Sequence, residues 1–396
     1  MTLSEELTWR GFVNQTTLKD IAQLDKAPMT FYWGVDPSAT SMTVGNFAMA
    51  MMVRHFIAYG HKAILLVGGA TGMIGDPDGK AEERTLKSLE EITKNKNAIA
   101  NQYRRVFDGM DFEIVDNYDW FKGLGYLDFL REVGKSMSMT QLLDREFVQS
   151  RIGKGGTGIS YAEFSYSLIQ GYDFLHLARE KGATLQVAGA DQWGNSIAGV
   201  ELIRKLEGKE AHVWTGPLIV NKSTGRKFGK TEAGAVWLDP EQTSVFDFYQ
   251  FWLNADDAGV IYYMKIYTLL SKEEIEDLER QTKENPAARA AQKKLAYEIT
   301  KIVHGAEAAD QAVKATEALF AGGESDLTPS VTVEPGEHSI ADLLVKAGLA
   351  ASNSEARRLL QQGGVKLNQE KVTTDTVTVK SGDLVQVGKR KFVKIA

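Results

Sequence analysis

Cysteine is absent from this chain of 396 residues. Its absence excludes disulfides, thiolate metal sites and a cysteine nucleophile, and fits a reducing compartment. No apolar run approaches the roughly 18 residues of a membrane span, and no apolar segment near Met1 marks a signal peptide. We therefore predict a cytoplasmic protein without a membrane span. Metal-ligand spacing is also missing, so we expect no structural metal at His55, His61, His176, His212, His304 or His338.

Negative charge exceeds positive charge over most of the chain but not at its end. With 43% hydrophobic and 25% charged residues the composition is that of a globular protein, and the length predicts two or three domains of roughly 150 residues. The net charge is −6, yet the segment from Pro335 to Ala396 holds ten Lys/Arg against six Asp/Glu. A basic segment on an acidic body indicates a module with a polyanionic partner.

A strand, a polar loop and a helix follow one another near the start of the chain. Phe31–Val35 is aromatic and β-branched, which predicts a buried strand, and the sequence Asp36-Pro37-Ser38 ends it. The hydroxyl-rich loop contains Gly45, and an apolar helix begins near Asn46. A helix start offers free N–H groups to a phosphate. Ordinary α/β architecture explains the same pattern without any ligand.

Carboxylate and amide residues follow two further predicted strands. Lys62–Val67 predicts a second buried strand, so the first three elements form a βαβ unit of a parallel sheet. The glycine-rich loop after it contains Asp76, and the strand beginning at Leu185 is followed by Asp191 and Gln192. In open α/β sheets ligands bind beyond the carboxyl ends of strands. The alternative is that these loops are only tight turns.

Three polar side chains share one face of a predicted helix over 161–177. Tyr166, Gln170 and Asp173 fall at helical spacing on a face that is otherwise apolar. Buried polar groups are unfavourable unless they are paired. They either contact a ligand or pair with each other or with the backbone, and spacing alone does not separate these interpretations.

A second cationic motif lies far downstream. Lys227 and Lys230 flank Phe228 and Gly229, and Thr231 follows. Such a loop can stabilise the charge that develops on a leaving polyphosphate. The commoner role of this spacing is a solvated basic turn. The sequence contains no P-loop motif.

Five motifs, taken in order, closely resemble bacterial tyrosyl-tRNA synthetases, which are class I aminoacyl-tRNA synthetases. They are Tyr32-x-Gly34-x-Asp36-Pro37, Gly68-GATGMIGDP77, Tyr166-xxx-Gln170-xx-Asp173, Ala190-DQWGN195 and Lys227-FGKT231. The resemblance covers nearly the whole chain, and residues 339–388 resemble an S4 RNA-binding domain. It implies an α/β fold, with a Rossmann-like parallel-sheet catalytic domain at 1–225 and an insertion around 120–160. A mobile lysine loop and α-helical domain at 226–320, a linker at 321–337 and a small α+β S4-like domain at 338–396 would follow.

The same resemblance implies a reaction and a set of site residues. The reaction is activation of L-tyrosine by ATP with Mg²⁺, followed by transfer to tRNA(Tyr), in a homodimer. The implied tyrosine contacts are Tyr32, Asp76, Tyr166, Gln170, Asp173 and Gln192. The implied ATP contacts are Asp36, Ser38, Thr43, Gly45, Asn46, Asp191, Lys227 and Lys230. The implied catalytic residues are Thr43, Lys80, Arg84, Lys227, Lys230 and Thr231. The basic C-terminal segment adds an RNA surface at Arg357, Arg358, Lys389, Arg390 and Lys391.

One motif departs from the family. Its usual His-Ile-Gly-His is replaced by Thr43-Val44-Gly45-Asn46, which resembles many bacterial tryptophanyl-tRNA synthetases. Tyr32 and Asp173 match the residues that bind the substrate phenol and favour tyrosine. A tryptophan-specific synthetase and a non-catalytic RNA-binding protein on this fold remain alternatives, although the retained charged pocket residues argue against the second.

Overall fold

Two compact units make up the protein. The computed structural model describes residues 1–77, 86–231, 234–320, 330–388 and 391–396. The first unit is Met1–Gly229 with Ile261–Ile275, and the second is Lys230–Val260 with Glu276–Ala396. The domain boundaries expected at 225, 320 and 337 stay predictions, and residues 321–329 of the expected linker lie outside the described residues.

A six-stranded sheet forms the centre of the first unit. Its strands are β1 (Gln15–Thr16), β2 (Thr30–Val35), β3 (Lys62–Val67), β4 (Phe112–Asp116), β5 (Leu185–Gly189) and β6 (His212–Gly216). The order is β1-β6-β5-β2-β3-β4, and β1 runs antiparallel to β6 while the other neighbours are parallel. Helices cover both faces of such sheets, so their strands are apolar along most of their length. The parallel α/β fold predicted from the sequence is confirmed.

The strand order reverses beside β2. Strand β3 extends the sheet on one side of β2, and the chain later returns to add β5 on the other side. At such a switch point the connections leave in opposite directions, so a crevice opens beyond the carboxyl ends of the two strands. Val35 and Gly189 end β2 and β5 at this crevice.

Helices surround this sheet, and hydroxyl side chains cap several of them. In chain order they are α1 (Leu3–Arg10), α2 (Val44–Ala58), α3 (Thr71–Ile74), α4 (Leu89–Val106), α5 (Tyr118–Phe121), α6 (Tyr126–Glu132), α7 (Met139–Leu143), α8 (Glu146–Ile152), α9 (Tyr161–Lys181) and α10 (Trp193–Glu207). The segment 120–160, which looked irregular in sequence, contains short helices. Val133 and Leu142 of this segment are buried in the core beside α9. Tertiary packing therefore stabilises short helices that the irregular sequence did not predict.

The second unit joins a helical part to a small β-rich part. Its strands are β7 (Lys230–Thr231), β8 (Gly234–Ala235), β9 (Ser330–Val331), β10 (Gly336–Ser339), β11 (Val365–Leu367), β12 (Glu370–Lys371), β13 (Thr376–Val379), β14 (Leu384–Val387) and β15 (Lys391–Ile395). The remaining helices are α11 (Val245–Leu253), α12 (Val260–Tyr267), α13 (Lys272–Glu284), α14 (Ala290–His304), α15 (Ala306–Phe320), α16 (Ile340–Lys346) and α17 (Asn353–Gln361). Most of α12 and the start of α13 belong to the first unit.

A five-stranded sheet in the order β12-β11-β14-β15-β9 forms the centre of the C-terminal part. Leu344, Val365, Val385 and Ile395 belong to a buried core of this part. None of the described helices is both long and apolar enough to cross a membrane.

Candidate active site

A cleft of about 270 Å³ lies beyond the carboxyl ends of β2 and β5 in the first unit. It gathers residues that are far apart in the sequence and that the motifs had selected. The predicted site residues that line it are Tyr32, Asp36, Ser38, Thr43, Gly45, Asn46, Asp76, Tyr166, Gln170, Asp173, Asp191, Gln192 and Lys227. A cleft therefore lies where the rule for open α/β sheets places a ligand.

One end of the cleft holds a buried carboxyl group opposite a buried hydroxyl group. Asp173 on α9 is 2% exposed and accepts hydrogen bonds from Trp120 Nε1 at 2.9 Å and Asn117 Nδ2 at 3.1 Å. Burial raises the pKa of Asp173 well above its usual range, although these two hydrogen bonds act in the opposite direction. The hydroxyl of Tyr32 on β2 is also buried and has no hydrogen-bond partner among the described residues. An unpaired buried hydroxyl in a cleft indicates a position for a polar ligand group.

The hydroxyl of Tyr32 keeps its proton at neutral pH. Burial, with a further contribution from the Asp173 carboxylate, raises the pKa of Tyr32 well above its usual value. This end of the cleft therefore offers one fixed donor, Tyr32, and one acceptor, Asp173. A ligand hydroxyl, which both donates and accepts, can satisfy the two together.

A hydrogen-bond network connects this end to the floor of the cleft. Tyr166 donates to Asp36 Oδ2 at 2.7 Å, and Thr71 donates to Asp36 Oδ1 at 2.6 Å. Asn117 Nδ2 lies 3.1 Å from both Thr71 Oγ1 and Asp173 Oδ2. Tyr166 and Asp173 thus pair with side chains from other parts of the chain. One interpretation of their helical face was that they pair with each other or with the backbone, and the structure does not show that pairing for these two residues.

Amide and carboxylate groups line the opposite wall. Gln192 Nε2 donates to Asp76 Oδ2 at 2.5 Å. Gln186 on β5 is 3% exposed, and its Oε1 has no hydrogen-bond partner among the described residues. Both Gln186 and Asp191 line the cleft. This wall presents polar groups that suit an ammonium, a carboxylate or a ribose.

The Thr43 to Asn46 motif forms a reciprocal cap at the start of α2. Asn46 Oδ1 accepts from Thr43 N at 3.0 Å and from Thr43 Oγ1 at 2.9 Å, and Thr43 Oγ1 accepts from Asn46 N at 3.4 Å. This capping box satisfies end groups of the helix. Because Asn46 Oδ1 is an acceptor in this box, its amide Nδ2 is the group that can donate to a ligand.

A short hairpin carries Lys227 to the cleft. Val220 and Lys227 form a β-bridge, and Phe228 N donates to Ile219 O at 2.9 Å. The ring of Phe228 stacks on that of Tyr263 in α12, with centroids 4.2 Å apart, and Tyr263 Oη accepts from Lys222 N at 3.0 Å. The exposed Lys227 side chain is thereby held at the rim, where a polyanionic group can reach it.

Comparison with known proteins identifies the family. Residues 24–321 match the model of class I tRNA synthetases (W and Y), and residues 321–394 match the C-terminal domain of tyrosine--tRNA ligases. The tyrosine--tRNA ligase of Bacillus caldotenax is 48% identical over 390 residues, which cover 94% of this chain and 92% of that protein. The chain belongs to the tyrosine--tRNA ligases.

Other relatives of this ligase family agree. The Limosilactobacillus reuteri tyrosine--tRNA ligase is 42% identical over 94% of this chain and 92% of that protein. A C-terminally truncated mitochondrial tyrosyl-tRNA synthetase of Aspergillus nidulans has a TM-score of 0.73 at 28% identity, over 81% of this chain and 94% of that chain. A tryptophanyl-tRNA synthetase from Encephalitozoon cuniculi, at 15% identity and a TM-score of 0.56, shares the fold alone. The tryptophan alternative is accordingly the less supported.

Some predicted residues of this ligase lie outside the described part of the chain. Lys80, Arg84, Lys389 and Arg390 are not among the described residues, and only the backbone of Lys230, Thr231 and Lys391 is described. Arg357 and Arg358 are exposed on α17. Within the described ranges, no group of three or more His, Asp or Glu residues could hold a metal ion.

Sequence reasoning missed several residues that line the ligase cleft or hold its side chains. Asn117 directly follows β4, so the rule applied to the other strand ends would have selected it. Gln186 is a polar residue inside an otherwise apolar strand, which is also a recognisable signal. Trp120 carried no such signal, because its role depends on a contact with Asp173. Thr71 lies in the glycine-rich motif after β3, but the motif gave no reason to choose it over its neighbours, and its role depends on a contact with Asp36.

Proposed function

We propose that this chain activates L-tyrosine with ATP to form tyrosyl-adenylate and then transfers the tyrosine to tRNA(Tyr). One observation supports the choice of tyrosine as the amino acid. The Tyr32 hydroxyl has no hydrogen-bond partner among the described residues, and it lines the same cleft as Asp173. A phenol donates to Asp173 and accepts from Tyr32. An indole N–H only donates, and a phenyl ring does neither, so tryptophan and phenylalanine leave one or both protein groups unpaired.

The remaining cleft residues suit the rest of the substrate. Asp76, Tyr166 and Gln170 would bind the ammonium group of tyrosine, with Gln192 near its carboxylate and Asp191 near the ATP ribose. Tyr166 already donates to Asp36, so its oxygen is oriented to accept from an ammonium group. The nucleotide would contact Asp36, Ser38, Thr43, Gly45 and Asn46, with Asn46 Nδ2 as a donor.

The chemistry requires positioning more than acid–base catalysis. The tyrosine carboxylate is ionised at neutral pH and attacks the α-phosphorus of ATP in line. The new bond joins this carboxylate oxygen to phosphorus, and Mg²⁺-pyrophosphate leaves. Charge accumulates on the leaving group, where Lys80, Arg84, Lys227 and Lys230, together with Thr231, would stabilise it. A terminal ribose hydroxyl of the tRNA then attacks the adenylate carbonyl and releases AMP.

The C-terminal module would bind the tRNA. Exposed Arg357 and Arg358 on α17, with the basic segment Lys389 to Lys391, suit a phosphate backbone, and the segment from Pro335 is net positive. We propose that residues 338–396 form the S4-like domain and that residues 226–320 contain the mobile lysine loop and the helical domain. A reaction that consumes ATP and tRNA supports a cytoplasmic location.

A homodimer would cover apolar surface on the first unit. Tyr126, Leu127 and Tyr161 are each more than 60% exposed, and the hydroxyls of Tyr126 and Tyr161 lie 3.4 Å apart. Exposed apolar clusters of this kind mark interaction surfaces. Sedimentation velocity at micromolar concentration should give about twice the chain mass of 43.7 kDa. The mass of a single chain would contradict the dimer.

The reaction is tested by ATP–pyrophosphate exchange with purified protein and Mg²⁺, run in parallel with tyrosine, tryptophan and phenylalanine. Exchange with tyrosine alone, followed by charging of tRNA(Tyr), is expected. Exchange with tryptophan would overturn the choice of amino acid. No exchange with any of the three would favour a non-catalytic RNA-binding protein.

The transition-state role of the lysine loop has its own test. Lys230→Ala should slow adenylate formation far more than it weakens tyrosine binding, because the pyrophosphate charge develops only as the bond breaks. Stopped-flow fluorescence separates the two quantities. Equal effects on both would remove this role from Lys230.

A further inference from the structure

Four polar side chains form a continuous hydrogen-bonded line into the cleft. Arg145, between α7 and α8, donates from Nη2 to Asn195 Oδ1 at 2.8 Å. Asn195 Nδ2 donates to Gln192 Oε1 at 3.2 Å, and Gln192 Nε2 donates to Asp76 Oδ2 at 2.5 Å. Asn195 is 2% exposed, so the middle of the line is shielded from water. Only its last two members belong to the site described above.

The chemistry of the two ends sets the direction of every bond between them. A guanidinium group only donates and a carboxylate only accepts. An amide group can be turned by 180° to exchange its oxygen and nitrogen. Because Arg145 requires an oxygen of Asn195, that residue turns its nitrogen towards Gln192. Gln192 must then accept through Oε1, and its nitrogen faces Asp76.

The position of Arg145 is not explained by helix stability. Its guanidinium lies beside Gly194 in the first turn of α10, where a side chain on Gly194 would come within 2.6 Å of Nη2. The positive end of a helix dipole disfavours a cation there. The hydrogen bond to Asn195 Oδ1 is one contact that holds the cation there.

We propose that Arg145 is a positioning residue that orients the Gln192 amide, so that N–H and not oxygen faces the tyrosine carboxylate. The proposal rests on the proposed function, which puts that carboxylate beside Gln192. Without Arg145 the Asn195 amide can turn, so Gln192 Oε1 loses its fixed donor and only the bond to Asp76 still orients the Gln192 amide. Arg145 thus acts on tyrosine through two other side chains and touches no substrate.

The test is pyrophosphate exchange with the full chain and with variants of Arg145 and Asn195. Arg145→Met should raise the KM for tyrosine by roughly tenfold and leave the KM for ATP within about twofold, since one oriented hydrogen bond to a charged group is lost. Arg145→Lys should restore most of the loss, because an ammonium group also only donates. Asn195→Asp keeps an acceptor for Arg145 but cannot donate to Gln192, and should match Arg145→Met. Arg204→Met, an exposed arginine on the same helix, is the control.

The outcomes separate this proposal from the proposed function. Wild-type protein without tyrosine-dependent exchange would overturn both. Wild-type exchange with an unchanged tyrosine KM in Arg145→Met, equal changes in both KM values, or no rescue by lysine would overturn the positioning role alone. Circular dichroism and thermal unfolding monitor folding, and Asn195→Asp provides the decisive comparison if Arg145→Met does not fold.

Discussion

The two ends of the cleft are built in different ways. At the end proposed for the amino acid, Asp173 is held by Asn117 and Trp120, which lie 56 and 53 positions away in the sequence. At the end proposed for the nucleotide, the contacts of Thr43 and Lys227 are local. Thr43 and Asn46 cap one helix, and Lys227 belongs to a hairpin bridged to Val220.

This difference follows from what each end would have to bind. Recognition of one hydroxyl needs donors and acceptors that are buried and fixed, since an unpaired group is costly only where water cannot replace the partner. A departing pyrophosphate needs cations that follow the developing charge and then release it, which favours short, solvated elements. Three changes follow, one at each end of the cleft and one in the helix that begins at the nucleotide end.

The largest effect is expected at the buried end. In Asp173→Asn one of the two donors, Asn117 or Trp120, would face an NH₂ group, and the ligand hydroxyl would lose an anionic acceptor. We expect kcat/KM for tyrosine in pyrophosphate exchange to fall about 100-fold, or about 3 kcal/mol, with the KM for ATP little changed. Asp119→Asn, at an exposed carboxylate paired with Lys122, is the control. A loss below fivefold would contradict a preorganised buried end.

The helix that begins at the nucleotide end of the cleft should make stability depend on pH. Helix α2 starts at the Thr43 cap and carries His55 at its buried end, where burial and the guanidinium groups of Arg10 and Arg54 lower the pKa to about 3. Glu6, 4.0 Å from the ring, is already paired with Arg10 at 2.5 Å and does not offset this. The unfolded state therefore binds a proton first as pH falls. The neutral His55 side chain therefore contributes to the free energy of unfolding above pH 6.5, and this contribution is lost as the pH falls from 6.5 towards 3.

At pH 4.5 this loss is about 2–3 kcal/mol. Urea unfolding gives the free energy of unfolding at pH 7.5 and at pH 4.5. The difference between these two free energies should be smaller in His55→Gln than in wild-type protein, by the amount just given. His338→Gln, at a histidine of the C-terminal part, is the control. Equal pH dependence in His55→Gln and wild type would contradict a neutral buried imidazole.

The smallest effect is expected at the nucleotide end. Tyr263→Phe keeps the stack on Phe228 but removes the oxygen that accepts from Lys222 N. A single neutral hydrogen bond contributes about 1 kcal/mol, so kcat for exchange should fall roughly fivefold with the tyrosine KM unchanged. Tyr262→Phe retains the ring under the Lys222 ammonium group and is the matched control. A rise in the tyrosine KM would show that the two ends are not independent.

Much of the site was predictable because its signals are local in sequence. The βαβ pattern of β2, α2 and β3 and the polar residues after strand ends predicted a crevice at this edge of the sheet, and the structure has a cleft there. The motifs also selected Tyr32, Tyr166 and Asp173 before any contact was known. Trp120 stands in no motif, so it could not be selected in this way. Thr71 lies in the glycine-rich motif, but its role depends on a contact with Asp36 that the motif does not reveal.

The sequence by itself determined the periodic patterns, the caps and the family, because these depend on residues within a few positions of one another or on motif order. Tertiary structure alone decided which polar groups are satisfied. It left the Tyr32 hydroxyl unpaired, joined Asn117 to both Thr71 and Asp173, and set the direction of the line from Arg145 to Asp76. Hydrogen bonds between distant segments depend on how the chain returns to the sheet, and no local pattern encodes that return.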